Sequence, residues 1–387
     1  MNPIGSPVPK EGLVIGKQTK PTHLETTFRI TPGNYQIQGS MWVSRRLPCP
    51  WIKCASSVSG FRSSGLSSSY PPSLSFRGVS SSTFHDDRKV ETKSNPDASS
   101  KAVHLSYKAY ESRPKKDKPM TKSPLVIQHS LLGSKTNWKN IAKEINHLTR
   151  RKVVTVDARN HGESPREPSM SYNLMAKDLR LLLDHLQLDK VSFMGQTMGG
   201  RIGMILALTQ PQLIDKLVCV DATPFDSEIS INRWRTLRQA CAHLQNLEHE
   251  LRSVHGIERS SLADKAIQDI LPDTRDRSFF LSNLLCDPAT GQMPNANTPL
   301  WRINFSSFLG NPDMTTSFPK FKNVSFPGKV LFIAGDRSQF IKKEDEDRIR
   351  DLFPNARFAW IPNCGHWVQT DKHVQFLKTV VPFLEGK

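Results

Sequence analysis

Three side chains stand in an order that acyl transfer can use: Thr197, Asp221 and His366. A hydroxyl attacks a carbonyl carbon when a histidine takes its proton and an acid orients that histidine. Thr197 lies in Gly195-Gln196-Thr197-Met198-Gly199-Gly200. An apolar run, Val191-Ser192-Phe193-Met194, precedes it, and the helix-like stretch 201–208 follows. Strand, sharp turn and helix are the setting of a nucleophile elbow, whose pattern is Gly-x-Ser-x-Gly. The glycines belong there because the turn leaves no room for side chains. The central residue here is threonine, and a β-branched side chain in a strained turn restricts χ1 and crowds its hydroxyl.

The order nucleophile, acid, histidine is the one expected on such a scaffold. Asp221 ends the apolar run Leu217-Val218-Cys219-Val220. A strand-end aspartate also serves as a helix cap or turn residue, and Asp336, in Gly335-Asp336-Arg337-Ser338, is the rival acid. Ser338 fits either turn chemistry or a hydrogen bond near the histidine. His366 sits in Asn363-Cys364-Gly365-His366-Trp367, between the last strand and the last helix. An oxyanion needs backbone N–H donors. One is expected from Met198, after the nucleophile. The other is expected from His129-Ser130-Leu131-Leu132-Gly133, with Leu131 the choice and Leu132 the alternative. Position 130 is usually glycine in such His-Gly loops, so Ser130 departs from the pattern.

The elements that must carry these residues are legible as short apolar runs alternating with helical periodicity. Strands are expected over 103–110, 125–128, 153–157, 191–194, 217–221, 330–334 and 358–361. Continuous rather than alternating apolar strands imply a mostly parallel sheet with helices on both faces, an α/β fold. One helix is expected over 137–148, with Trp138, Ile141, Ile145 and Leu148 on its apolar face. Ser171 caps another, facing inward through Met175, Leu179, Leu182, Leu183 and Leu186. Two more are expected over 344–353 and 371–384, the last with Val374, Leu377, Val381 and Leu384 inward. Residues 224–321 break the rhythm and read as a helical cap inserted after the strand over 217–221. Its aromatics, Trp234, Phe279, Phe280, Trp301, Phe305 and Phe308 among them, suit an apolar acyl pocket or ordinary packing of cap on sheet. The expected organisation is a leader over 1–100, a core over 101–223 and 322–387, and the cap between.

The chain of 387 residues carries a net charge of +17. Residues 1–120 hold 18 Lys+Arg against 8 Asp+Glu, and residues 26–85 hold no acid at all. Arg-rich, Ser-rich and acid-poor is the composition of a mitochondrial transit peptide, with Met1 or Met41 as the start. A disordered tail has the same composition. No basic helix interleaved with aromatics supports nucleic-acid binding. No apolar run reaches the ~18 residues of a membrane span. The six cysteines lack paired metal-ligand spacing and read as free thiols. Phosphate-loop and dinucleotide fingerprints are absent, so no cofactor and no metal are expected.

Five separated segments agree in order and spacing with one family. They are 129–133, Val156-Asp157-Ala158-Arg159-Asn160-His161-Gly162, the elbow, Trp301-Arg302-Ile303-Asn304 and Gly365-His366-Trp367. Over roughly residues 103–385 the chain resembles the α/β hydrolases, and within them the branch of alpha/beta hydrolase domain-containing protein 11 and related bacterial esterases. The resemblance implies an α/β-hydrolase fold, a helical cap, and hydrolysis of acyl, thioester or lipid esters through an acyl-enzyme. It supports Asp221 as the acid. For the animal members of that branch it implies mitochondria, where a mitochondrial protein partner would be met. Gln196-Thr197 stands where that family has His-Ser. Two readings therefore stand open: a hydrolase working through Thr197, and a catalytically inactive homologue that binds or scaffolds.

Overall fold

The computed structural model describes residues 90–91, 101–112, 122–285, 298–311 and 318–387. Every described residue lies within one unit, Ser68–Lys387. The expected leader therefore lies outside the described residues, apart from the backbone of 90–91. Cys49, Cys54 and Cys286 lie outside them too; Cys219, Cys241 and Cys364 are buried free thiols.

In chain order the strands are β1 Val90–Glu91, β2 Tyr107–Tyr110, β3 Leu125–Gln128, β4 Val153–Val156, β5 Val191–Gln196, β6 Ile214–Val220, β7 Lys320–Phe321, β8 Lys329–Gly335 and β9 Ala356–Ile361. Seven of them form one sheet in the order β2-β4-β3-β5-β6-β8-β9. Only β2 runs antiparallel to its neighbour, β4. β1 and β7 pair separately.

The parallel strands are apolar on both faces because both faces are covered. Leu125, Ile127, Val153, Met194, Val218 and Ile333 pack on one side. There they meet α1 (Lys139–Thr149) and α11 (His373–Glu385). Val126, Val154, Phe193, Leu217 and Phe332 point the other way. They meet α2 (Tyr172–His185) and α3 (Met198–Thr209). Ser171 caps α2 by accepting the Leu174 N–H at 3.1 Å. Between β6 and β7 lie α4 (Glu228–Asn246), α5 (Glu248–Ser253), α6 (Gly256–Ile267), α7 (Thr274–Leu281) and α8 (Phe305–Gly310). After β8 come α9 (Glu346–Arg350) and α10 (Val368–Asp371).

Four local expectations need correction. The first strand spans only Tyr107–Tyr110, because its ladder partner β4 ends at Val156. Upstream, Val103 N–H is held by Asp178 and Ser106 N–H by Ser164 instead. Leu148 is 54% exposed, since the buried stripe of α1 runs Ile141, Ala142, Ile145, Thr149. Val374 is 56% exposed, because α11 buries Phe376, Val380 and Phe383 along a stripe that misses it. The expected helix over 344–353 is reduced to α9 with a single tighter turn, Lys343–Asp345, before it.

Candidate active site

The parallel strands end on one edge, and the loops leaving that edge build the site. Between β5 and α3 the chain turns at Thr197, whose φ of 47° and ψ of −102° are forbidden ground for a β-branched residue. Such strain costs about 1–3 kcal/mol and persists only where surroundings enforce it. Here the Thr197 N–H donates to Val220 O at 3.0 Å and its carbonyl accepts from Arg201 N–H at 3.0 Å. The flanking glycines are steric necessities. A Cβ on Gly195 would lie 2.2 Å from the Gly199 carbonyl carbon, and one on Gly199 would lie 2.5 Å from Gln128 O.

Asp221 follows β6 and is fully buried. His366 follows β9, and its Nδ1–H donates to Asp221 Oδ2 at 2.5 Å. The same oxygen accepts the Ser338 hydroxyl at 2.8 Å, and Ser338 Oγ in turn accepts the Phe340 N–H at 3.2 Å. Ser338 is therefore a support of the acid as well as a turn residue. Asp336, the rival acid, is exposed and does not face the histidine. Its Oδ1 accepts the Cys364 N–H at 3.2 Å, fixing the turn that leads to His366.

Thr197, Asp221 and His366 line one cleft with Leu131 and Met198. Counted out to its open mouth the cleft measures about 830 Å³. The Thr197 hydroxyl oxygen is covered in its rotamer and has no hydrogen-bond partner. Gln196, immediately before it, points away from the cleft. Its Nε2 donates to the His366 carbonyl at 3.3 Å, and its Oε1 accepts from Gln369 at 2.8 Å. Gln196 thus ties the strand before Thr197 to the loop of the histidine.

The oxyanion loop is held by two buried imidazoles. His161 Nδ1–H donates to Arg159 O at 2.9 Å, leaving Nε2 to accept the Leu132 N–H at 3.2 Å. His129 Nδ1–H donates to Ser130 O at 2.7 Å, and its Nε2 accepts the Ala158 N–H at 3.0 Å. Each pattern demands a neutral ring. Burial lowers the pKa of both, His161 to about 3. The Leu132 N–H is thereby occupied. Among the described residues the N–H groups of Leu131 and Met198 have no backbone acceptor. Neither histidine's role was assigned from the sequence, although both lie in segments that the resemblance rests on.

The walls are largely apolar. Trp234 and Leu237 of α4, Phe279 and Phe280 of α7, Phe340 and Trp367 line the cleft. Phe279 meets Trp367 at a ring separation of 4.5 Å, joining α7 to the loop of the histidine. Trp301, Phe305 and Phe308 do not line the cleft; they are buried behind it, with Phe308 4.1 Å from Trp234. Phe340 and Trp367 were not anticipated as wall residues, since nothing in local sequence tells which loop aromatic faces a site. Arg233 and Asp276, an ion pair at 2.8 Å, link α4 to α7 on the same wall. Among the described residues no group of three His, Cys, Asp or Glu is placed to hold a metal ion. No helix there is long and apolar enough to cross a membrane.

Comparison with known proteins gives the same picture. A family profile described as alpha/beta hydrolase fold matches residues 123–373. A zebrafish (Danio rerio) protein named sn-1-specific diacylglycerol lipase ABHD11 is 36% identical, over 68% of this chain and 78% of its own. The Escherichia coli protein named esterase YbfF is 28% identical, over 68% of this chain and 93% of its own. A solved structure described as a marine microorganism esterase superposes with a TM-score of 0.62 at 25% identity, covering 73% of this chain and all of that one. The chain belongs to the α/β-hydrolase family.

Proposed function

We propose that this protein hydrolyses carboxylic esters of lipid type through an acyl-enzyme formed on Thr197. The observation that carries the reading is the 2.5 Å hydrogen bond between His366 and Asp221, in a cleft that also holds Thr197. The relatives named lipase and esterase support the reaction class, and the aromatic walls suit an acyl chain. The Thr197 hydroxyl passes its proton to His366 Nε2 as its oxygen bonds the acyl carbon. The carbonyl π electrons move to the oxygen, which the N–H groups of Leu131 and Met198 hold. The alcohol leaves with the proton from His366. Water then repeats the cycle and frees the acid. Asp221 keeps the Nδ1–H tautomer throughout, and Ser338 keeps Asp221 in place.

One observation favours a second reading, a binding protein without turnover: the Thr197 hydroxyl is covered and bonded to nothing. A fluorophosphonate probe separates the two. The hydrolase reading expects an adduct on Thr197 by mass spectrometry. A chain that stays unlabelled while an acyl ligand still raises its melting temperature is a binding protein.

The composition of residues 1–100 further supports delivery to mitochondria, where a protein partner would be met. Fusions of that segment to a fluorescent protein, started at Met1 and at Met41, test this; diffuse cytosolic signal from both overturns it.

A further inference from the structure

The loop after β3 offers one group that neither the catalytic scheme nor the fold uses. The Ser130 carbonyl accepts both the Gly133 N–H at 2.9 Å and His129 Nδ1–H at 2.7 Å, so the backbone of Ser130 is fixed. Its hydroxyl hydrogen-bonds to no described residue. Ser130 is 5% exposed and lines the cleft together with Thr197, Leu131 and Met198. The hydroxyl is also absent from the set of sealed, unpartnered polar atoms, which includes Thr197 Oγ1. A small polar group with no protein partner that is not sealed off must open to the cleft. Leaving such a donor without an acceptor is unfavourable, and a water or a substrate atom is what can satisfy it.

We propose that the Ser130 hydroxyl is a third oxyanion donor, a further catalytic residue of the hydrolase reading on which this inference rests. The oxygen of a tetrahedral intermediate carries a full charge and accepts more than two donors. As Thr197 Oγ1 bonds the acyl carbon, the π pair moves to the oxygen, and Ser130 O–H donates to it without losing its proton. The proton released by Thr197 goes to His366, as before. Placed one residue before the Leu131 N–H, the hydroxyl starts from the same rigid loop. Two of the departures from the expected pattern, Ser130 for glycine and Thr197 for serine, then form one site: the crowded nucleophile is accompanied by added stabilisation of the charge it creates.

The hydroxyl holds nothing in the fold, so Ser130→Ala should leave the melting temperature unchanged. The full chain and Ser130→Ala are compared in p-nitrophenyl butyrate hydrolysis, and in inhibition by a trifluoromethyl ketone and by the matching methyl ketone. The fluorinated ketone forms an oxyanion on Thr197; the methyl ketone stays a ground-state ligand. Removing a main oxyanion donor costs about a hundredfold or more, so an auxiliary donor is expected to cost about tenfold. The prediction is a kcat about tenfold lower and a fluorinated-ketone affinity about tenfold weaker, with KM and methyl-ketone affinity unchanged. An active parent with an equally active Ser130→Ala, or a change in KM alone, overturns the role of Ser130 and leaves the hydrolase reading standing. A parent that neither turns over nor forms the ketone adduct overturns both.

Discussion

His366 and Asp221, separated by 145 residues of sequence, meet at 2.5 Å between Nδ1 and Oδ2, with the Ser338 hydroxyl on the same oxygen. A carboxylate there fixes the proton on Nδ1 and leaves Nε2 as the base. Asp221→Asn offers an amide in its place and lets the imidazole settle in the wrong tautomer. By analogy with the serine triads, kcat should fall by about 10³–10⁴ with little change in KM. Steady-state kinetics on a chromogenic ester checks this. An unchanged kcat would show that Asp221 is a structural residue only.

Gln196 links the strand before Thr197 to the loop of His366. Its amide holds the His366 carbonyl and accepts from Gln369, whose Oε1 already lacks a partner. Gln196→Leu leaves both partners unpaired in a buried place, which costs about 1–3 kcal/mol. Urea unfolding should report that loss. The same variant should lower kcat more than it raises KM, because it loosens His366 rather than the walls.

The two neutral imidazoles under the oxyanion loop make stability depend on pH. Burial lowers the pKa of His129 and His161 in the fold, the latter to about 3, whereas an unfolded histidine titrates near 6.5. Below that value the unfolded chain binds protons that the folded chain refuses. Stability should therefore be full above about pH 7 and fall as pH falls toward 3, by about 1.4 kcal/mol per unit for His161, with His129 acting in the same direction. His161→Gln keeps an acceptor for the Leu132 N–H without the charge. Its denaturation midpoint should change less steeply between pH 6 and pH 4 than that of the parent; equal slopes would contradict the account.

Beside the site, Arg159 grips Asp178 with two hydrogen bonds of 2.6 Å, both side chains about 1% exposed. Asp178→Ala would strand a buried guanidinium. The expected loss is about 3–5 kcal/mol, read as a lower melting temperature.

What the sequence conveyed about these residues follows from the range of the forces involved. The elbow, the acid and the histidine each follow an apolar run, and a parallel sheet brings the ends of such runs together, so their meeting could be read from order alone. The glycines around Thr197 were legible for the same steric reason that the structure displays. The engagement of the Leu132 N–H was not, because its acceptor is His161, nearly thirty residues away in sequence. The role of Ser338 was likewise set by a partner 117 residues distant. Leu148 and Val374 were misread because helical periodicity gives a face, while the exposed ends of α1 and α11 depend on where neighbouring elements stop. Phe279 and Phe280 line the cleft whereas Trp301, Phe305 and Phe308 are buried away from it, a difference that residue type does not carry.

The most direct test of the account is ester hydrolysis by the full chain beside Thr197→Ala and Thr197→Ser. Displacing a reacting atom by about 1 Å can cost about a hundredfold, so relief from the threonine methyl should raise kcat in Thr197→Ser by up to about that factor. The parent rate should lie well above that of Thr197→Ala and below that of Thr197→Ser. A parent no faster than Thr197→Ala would contradict the account, and turnover by Thr197→Ser alone would identify a binding protein with an intact but silenced site.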